Sequence, residues 1–119
     1  MRLQIVQILD RGVANKERIL LRASAVTSLY VYVVLNTWYI TPQTISKLPR
    51  NVFWFPNQLL KPGDSVVLFS GSGVPSESVN QDGTTTYLFY WGFANTIWNK
   101  TGDCAVLLEL NDWVTSPYE

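Results

Sequence analysis

Histidine is absent from this chain of 119 residues, and there is a single cysteine, Cys104. The absence of histidine excludes a Ser-His-Asp or Cys-His nucleophile, an imidazole proton shuttle and a histidine metal ligand. One cysteine excludes an intrachain disulfide and a thiolate cluster for zinc or iron–sulfur. Because Cys104 begins an apolar segment without basic neighbours, we interpret it as a buried hydrophobe. We therefore expect no enzyme, no metal and no small-molecule cofactor.

Charged residues are scarce at 15%, and nine Lys and Arg balance nine Asp and Glu. This balance argues against a protein dedicated to nucleic acids or to membrane surfaces, so at most a weak, salt-sensitive contact with nucleic acid is expected. Residues 1–61 carry eight bases and two acids, whereas residues 62–119 carry seven acids and one base, Lys100. Either the two halves interleave in the fold, or the surface is dipolar and orients a partner.

Carboxylates stand mostly at turn-like positions: Asp10, Glu77, Asp82 and Asp103. A small hydrolase would need two of them held about 5–9 Å apart, and nothing in the sequence fixes such a spacing. Aspartate is common in turns because its side chain bonds to nearby backbone. We therefore interpret these residues as turn chemistry.

No segment has the pattern of a leader or a membrane span. The first 15 residues lack a basic region followed by an apolar one, so a cytoplasmic location is expected if Met1 is the native start. The longest apolar stretch, Ile19 to Ile40, contains Arg22 and Asn36, and a membrane helix with that interior would be costly to insert. We interpret this stretch as β-strands with a turn.

Apolar residues make up 47% of the chain and recur with a period of two. The segments predicted as strands are residues 3–9, 17–23, 28–36, 52–55, 64–70, 84–91 and 104–110. Short strands at spacings of about ten residues are typical of a sandwich or barrel. We predict one all-β domain over residues 1–119, a two-sheet sandwich of about seven to nine strands.

Turn chemistry separates these segments. Lys61-Pro62-Gly63-Asp64 has the residues of a type II turn, since proline fixes φ and glycine accepts a positive φ. Asp82-Gly83 is a hairpin signal, and residues 70–78 are predicted as a loop in which Gly73 is freer than Gly63. A short helical turn is expected near residues 94–98.

A set of motifs in the second half resembles the lamin tail domain, an Ig-like β-sandwich family found in nuclear lamins and in bacterial proteins. The motifs are Phe55-Pro56, Leu60-Lys61-Pro62-Gly63, an apolar strand followed by Gly71 and Gly73, Trp91-Gly92, Trp98-Asn99 and Gly102-Asp103. The resemblance extends over about residues 36–110. It implies an Ig-like fold and a non-catalytic domain that binds another protein or itself.

Aromatic residues offer an alternative function. Tyr87, Phe89 and Trp91 share one face of a predicted strand, and flat apolar rings stack on sugars. If that face is exposed, it is a ligand platform and the protein is a carbohydrate-binding sandwich. The other interpretation is that these rings fill the core.

Two predicted strands are apolar on both faces, and a sandwich core covers only one of them. The second face of the first such strand is formed by Tyr30, Tyr32 and Val34, and that of the last strand by Val106 and Leu108. Exposing either face would leave an apolar patch larger than soluble monomers usually have. We therefore predict a homo-oligomer or a protein partner, with the first three residues as the preferred interface.

Overall fold

The computed structural model of the protein describes residues 1–99 and 101–119, and its regular structure is nearly all β. The strands are β1 (Leu3–Leu9), β2 (Arg18–Ala23), β3 (Thr27–Ser28), β4 (Tyr32–Thr41), β5 (Thr44–Ile45), β6 (Asn51–Trp54), β7 (Leu59–Leu60), β8 (Ser65–Phe69), β9 (Ser76–Val79), β10 (Thr85–Tyr90) and β11 (Asp103–Glu109). Among the described residues, the strands hold 47% and helical turns only 3%, which confirms the all-β prediction. Lys100, which the sequence places in the turn before β11, lies outside the described residues.

Two sheets form the sandwich. The first has the order β1-β2-β8-β10-β9, and all its neighbours are antiparallel except β8 and β10, which are parallel. In the second, β4 is central, with β11 on one side and with β6 and β5 on the other. The two-residue strands β3 and β7 form a separate pair. The eight strands of four or more residues in the described chain agree with the expected number.

The core lies between the sheets and follows the period of two. Ile19 and Leu21 of β2 and Val66 and Leu68 of β8 are fully buried at alternate positions. Large rings complete it: the buried set also includes Tyr32, Phe55, Phe89 and Trp98. One contiguous cluster of this kind is what a single small domain requires.

Local structure differs from the sequence prediction at three places. The strand predicted over residues 28–36 begins at Tyr32, because Leu29–Val31 form a 3-10 turn. The loop predicted over residues 70–78 ends in β9, all of whose side chains are exposed. No helical turn forms at residues 94–98, where the backbone instead donates to a buried carboxylate.

Both predicted turns are confirmed. Gly63 has φ +89°, and the Asp64 N–H donates to the Lys61 carbonyl over 3.0 Å. Gly83 has φ +86°, and its N–H donates to the carbonyl of Asn80, which closes the β9–β10 hairpin.

Gly73 is not the freer of the two glycines. A Cβ atom there would overlap the ring of Tyr90, which is stacked on Phe69 with 5.1 Å between ring centroids. At Gly63 the nearest side-chain atom, Cγ2 of Thr84, would be 2.9 Å away. The expectation that a side chain costs less at Gly73 than at Gly63 did not take this overlap into account, because the loop packs against the first sheet.

The basic first half and the acidic second half meet in the fold. Arg2 lies 3.5 Å from the Glu109 carboxylate, and Arg50 lies 2.7 Å from that of Asp103. Both pairs join one half of the chain to the other. The charges of the two halves therefore meet at these two places, and whether the whole surface is dipolar stays a prediction.

Candidate interaction surface

The outward face of the second sheet is a continuous set of apolar side chains. The strand register places Val33 opposite both Trp54 and Leu108, and Leu35 opposite both Val52 and Val106. Residues that are directly opposite in a ladder share a face of the sheet. We call this set the outer face; it consists of Val33, Leu35, Val52, Trp54, Val106 and Leu108.

Three side chains of the outer face remain well exposed. Val52 is 54%, Trp54 46% and Leu108 39% exposed. The alternate residues of the same strands, such as Phe53 and Leu107, pack against the core. These strands are thus apolar on both sides. The outer side is only partly covered, because Val33 on the central strand is 7% exposed whereas Val52, Trp54 and Leu108 remain accessible. A partly exposed apolar sheet face of this kind is typical of a surface that binds another molecule.

An aromatic pair borders the outer face. The rings of Trp54 and Trp113 meet edge to face, with 4.9 Å between centroids, and both are half exposed. The indole Nε1–H of Trp54 donates to the carbonyl of Tyr30 over 2.6 Å. Just before Trp113, the Leu110 N–H donates to the Val31 carbonyl, which directs the chain toward this border. The C-terminal segment therefore contacts the border of the outer face.

The preferred interface prediction was wrong for two of its three residues. Tyr32 and Val34 are both 0% exposed and belong to the core. The opposite side of β4, with Val33 and Leu35, is the outward one. A period of two shows which residues share a face, but not which face is buried. Tyr30 is exposed beside Trp54.

The second-choice residues Val106 and Leu108 lie on the outer face, and their part in an interface stays a prediction.

The expected ligand platform faces the core. Phe89 is 8% exposed, and Tyr87 and Trp91 pack against the buried cluster. Phe89 meets Phe55 edge to face at 5.5 Å, and Trp91 meets Phe53 at 5.7 Å. Edge-to-face contacts use the ring surfaces that a sugar would need. These rings are therefore core, which corrects the platform prediction.

A buried carboxylate that the sequence analysis missed ties the loop before Lys100 to the first sheet. Glu17 is 1% exposed and accepts the N–H groups of Ile97 over 2.8 Å and of Trp98 over 3.3 Å. It also accepts the N–H of Gly12 and the hydroxyl of Ser70. A buried charge is tolerated only when such donors surround it. Its partners are distant in sequence, so no local motif reveals it.

The polar groups near Asp103 form a second network. A cavity of about 250 Å³ lies beside Asn36, Asn51 and Arg50. Arg50 donates to the Asp103 carboxylate, and the Asn51 amide donates to the Asn36 side-chain oxygen over 3.0 Å. Because these groups already satisfy one another, the network holds the sheet and its neighbouring loop together and offers no open site.

The Cys104 thiol and the possible metal ligands were also considered as sites of chemical reactivity. Burial, together with the Asp103 carboxylate, raises the pKa of the Cys104 thiol, which is buried as expected. Within residues 1–99 and 101–119, no three acidic or cysteine side chains come together as a metal site. Neither observation points to a reactive centre.

Comparisons with known proteins found no relative of this chain. No family model, no curated protein and no solved structure matches this chain. In the part of the chain that the structure describes, no helix is long and apolar enough to cross a membrane. The resemblance to the lamin tail domain therefore stays a prediction that depends on the sequence motifs alone.

Proposed function

We propose that this chain is a non-catalytic interaction domain that binds a second copy of itself through the outer face. The observation that carries the proposal is the partly exposed apolar face of the second sheet, where Val52, Trp54 and Leu108 are 39–54% exposed. Burying such surface is favourable by roughly 25 cal/mol per Å². Contact with another apolar surface supplies that burial.

A second copy fits this face because the face is chemically complementary to itself. None of its six side chains carries a charge, and they lie in two rows across three paired strands. Two sheets pack face to face about 10 Å apart when apolar side chains interdigitate. In a dimer with two-fold symmetry, the same patch serves both partners. Trp54 and Trp113 then stand at the border as aromatic anchors.

We extend the proposal to family and fold type: an Ig-like sandwich of the lamin tail family. Two observations support it. Phe55 and Trp98, which belong to the family-like motifs, are buried in the core, and Gly63 forms the turn that its motif implies. The two-sheet arrangement is also compatible with an Ig-like fold. Carbohydrate binding is not proposed, because Tyr87, Phe89 and Trp91 face the core.

Light scattering at micromolar concentration tests self-association. The expected mass is twice the 13.5 kDa of one chain. Val52→Lys places a charge at an exposed position of the outer face and is expected to give the monomer mass. Val79→Lys is the matched control, because Val79 is also exposed but lies on the other sheet, and it should leave the dimer intact.

Circular dichroism melting of both variants shows whether they are folded. A folded Val52→Lys variant that keeps the dimer mass would refute the outer face as the interface. A monomer mass for the wild-type chain at every concentration would refute self-association and assign the face to a different protein.

A further inference from the structure

The strand β9 leaves one edge of the first sheet open. It pairs with β10 on one side, and the strand order of the described residues ends there. The opposite edge strand, β1, has a bulge between Ile5 and Gln7, which is a common protection against added strands. The register of β9 is regular from Ser76 to Val79. Of the two edges, β9 is thus the one with an unbroken ladder.

The hairpin fixes which backbone groups of β9 point outward. The Asn80 N–H donates to the Thr84 carbonyl over 2.7 Å, so these two residues form a hydrogen-bonded pair. In an antiparallel ladder such pairs alternate with pairs that do not exchange bonds. Ser78 and Ser76 therefore bond to β10, and the N–H and C=O groups of Glu77 and Val79 point away from the sheet. These four groups are ready to pair with another strand.

A cavity of about 180 Å³ lies next to this edge. Glu77 and Tyr87 are cross-strand partners and line it together, with Phe89 and Gln58. A residue added opposite Glu77 would project onto the same face of the sheet, beside that cavity. The edge and the cavity thus form one site, with main-chain pairing on β9 and a side-chain subsite next to it.

The charge of the subsite selects its occupant. Among the described residues that line it, only Glu77 carries a formal charge, and the ion pairs lie elsewhere. A cation placed here would meet the Glu77 carboxylate. Opposite charges across adjacent strands stabilise the pairing, and like charges oppose it.

We propose that an extended, basic peptide segment of a protein partner adds to β9 as a sixth strand of the first sheet. Its lysine or arginine lies opposite Glu77, beside the cavity. This site is separate from the outer face, which belongs to the second sheet. A test of peptide binding at β9 is therefore independent of a test of self-association.

Titration of the ¹⁵N-labelled full chain with the blocked heptapeptide TVTKTVT tests the proposal. Saturable shifts of the Glu77 and Val79 amides are expected, with no shifts at the outer face. The peptide TVTETVT should bind about fivefold more weakly, because glutamate opposes Glu77. A copy of TVTKTVT with N-methyl groups on the amides that face β9 should not bind, because main-chain pairing is then blocked.

Two variants complete the test. Glu77→Gln, at an exposed position, should abolish the preference for lysine over glutamate. Val79→Pro removes an outward N–H and should abolish binding, with the fold checked by melting. Equal affinity of the wild-type chain for the two peptides, or no saturable shift up to about 1 mM, would overturn the proposal. If Val79→Pro instead converts a dimer to a monomer, the edge belongs to a second copy and the proposal is also overturned.

Discussion

Trp113 contacts Trp54 edge to face, with 4.9 Å between the ring centroids and 87° between the ring planes. The pair joins the C-terminal segment to the border of the outer face. No hydrogen bond links Trp113 to the sheet; its N–H bonds only to the side chain of Asp112 in the described chain. The ring contact is therefore what holds this segment against β6.

Removal of that contact should weaken the fold modestly. We expect Trp113→Ala to lower the free energy of unfolding by about 1 kcal/mol, the value typical of an aromatic pair. Urea unfolding, followed by circular dichroism, measures the change. Tyr118→Ala is the control, since Tyr118 is fully exposed and should leave the midpoint unchanged. Identical midpoints for the two variants would show that Trp113 does not anchor the segment.

Substitution of the buried Glu17 should lower the free energy of unfolding more than Trp113→Ala does. Its two carboxylate oxygens accept from Gly12, Ile97, Trp98 and Ser70. Glu17→Gln replaces one acceptor oxygen by a donor that faces N–H groups, so we expect a loss of about 2–4 kcal/mol. Urea unfolding is again the measurement. Glu77→Gln, at an exposed position, should change stability little. Equal losses in the two variants would show that the hydrogen bonds of Glu17 do not stabilise the fold.

The pair Tyr32–Glu109 predicts a pH dependence. The Tyr32 hydroxyl donates to Glu109 over 2.5 Å; this bond lowers the pKa of Glu109, and burial raises the pKa of Tyr32. The contribution of Glu109 is present above its ordinary pKa of about 4.3 and is lost as pH falls through the lowered value. That of Tyr32 is present below about pH 10 and is lost as pH rises through the raised value.

Tyr32→Phe should therefore reduce stability at neutral pH by about 1 kcal/mol and flatten the profile at both ends. Thermal melts across the pH range measure this. A variant with the same acid and alkaline slopes as the wild-type chain would show that other groups dominate the profile. Tyr30→Phe, on an exposed ring, is the matched control.

Substitutions of Gly63 and Gly73 test two causes of destabilisation, backbone strain at a positive φ and steric overlap of an added side chain. Gly63→Val introduces a β-branched residue at φ +89° and should destabilise the fold by roughly 1 kcal/mol or more. Gly73→Val lacks the positive φ but overlaps the ring of Tyr90, so a comparable loss is expected. Gly92→Val is not a neutral control, since Gly92 also has a positive φ. Melting temperatures equal to the wild-type value in either variant would contradict its stated cause.

The sequence predicted β2 well, because Arg18 and Arg22 alternate with the buried Ile19 and Leu21. It failed to identify the buried face of β4, because residues 32–35 are apolar on both sides. It missed β9 because Ser76–Val79 have no buried face, and the strand is held by backbone pairing alone. It missed Glu17 because two of its partners, Ile97 and Trp98, are 80 and 81 positions away.

If two copies meet through the outer face, an isotope-filtered NOE experiment detects the contact between them. Equal amounts of ¹³C-labelled and unlabelled chain are mixed, and only contacts between copies are recorded. We predict intermolecular NOEs from the methyl groups of Val52, Val106 and Leu108. Intermolecular NOEs confined to other methyl groups, such as those of Val74 and Val79 near the β9 edge, or none from any methyl, would contradict the claim.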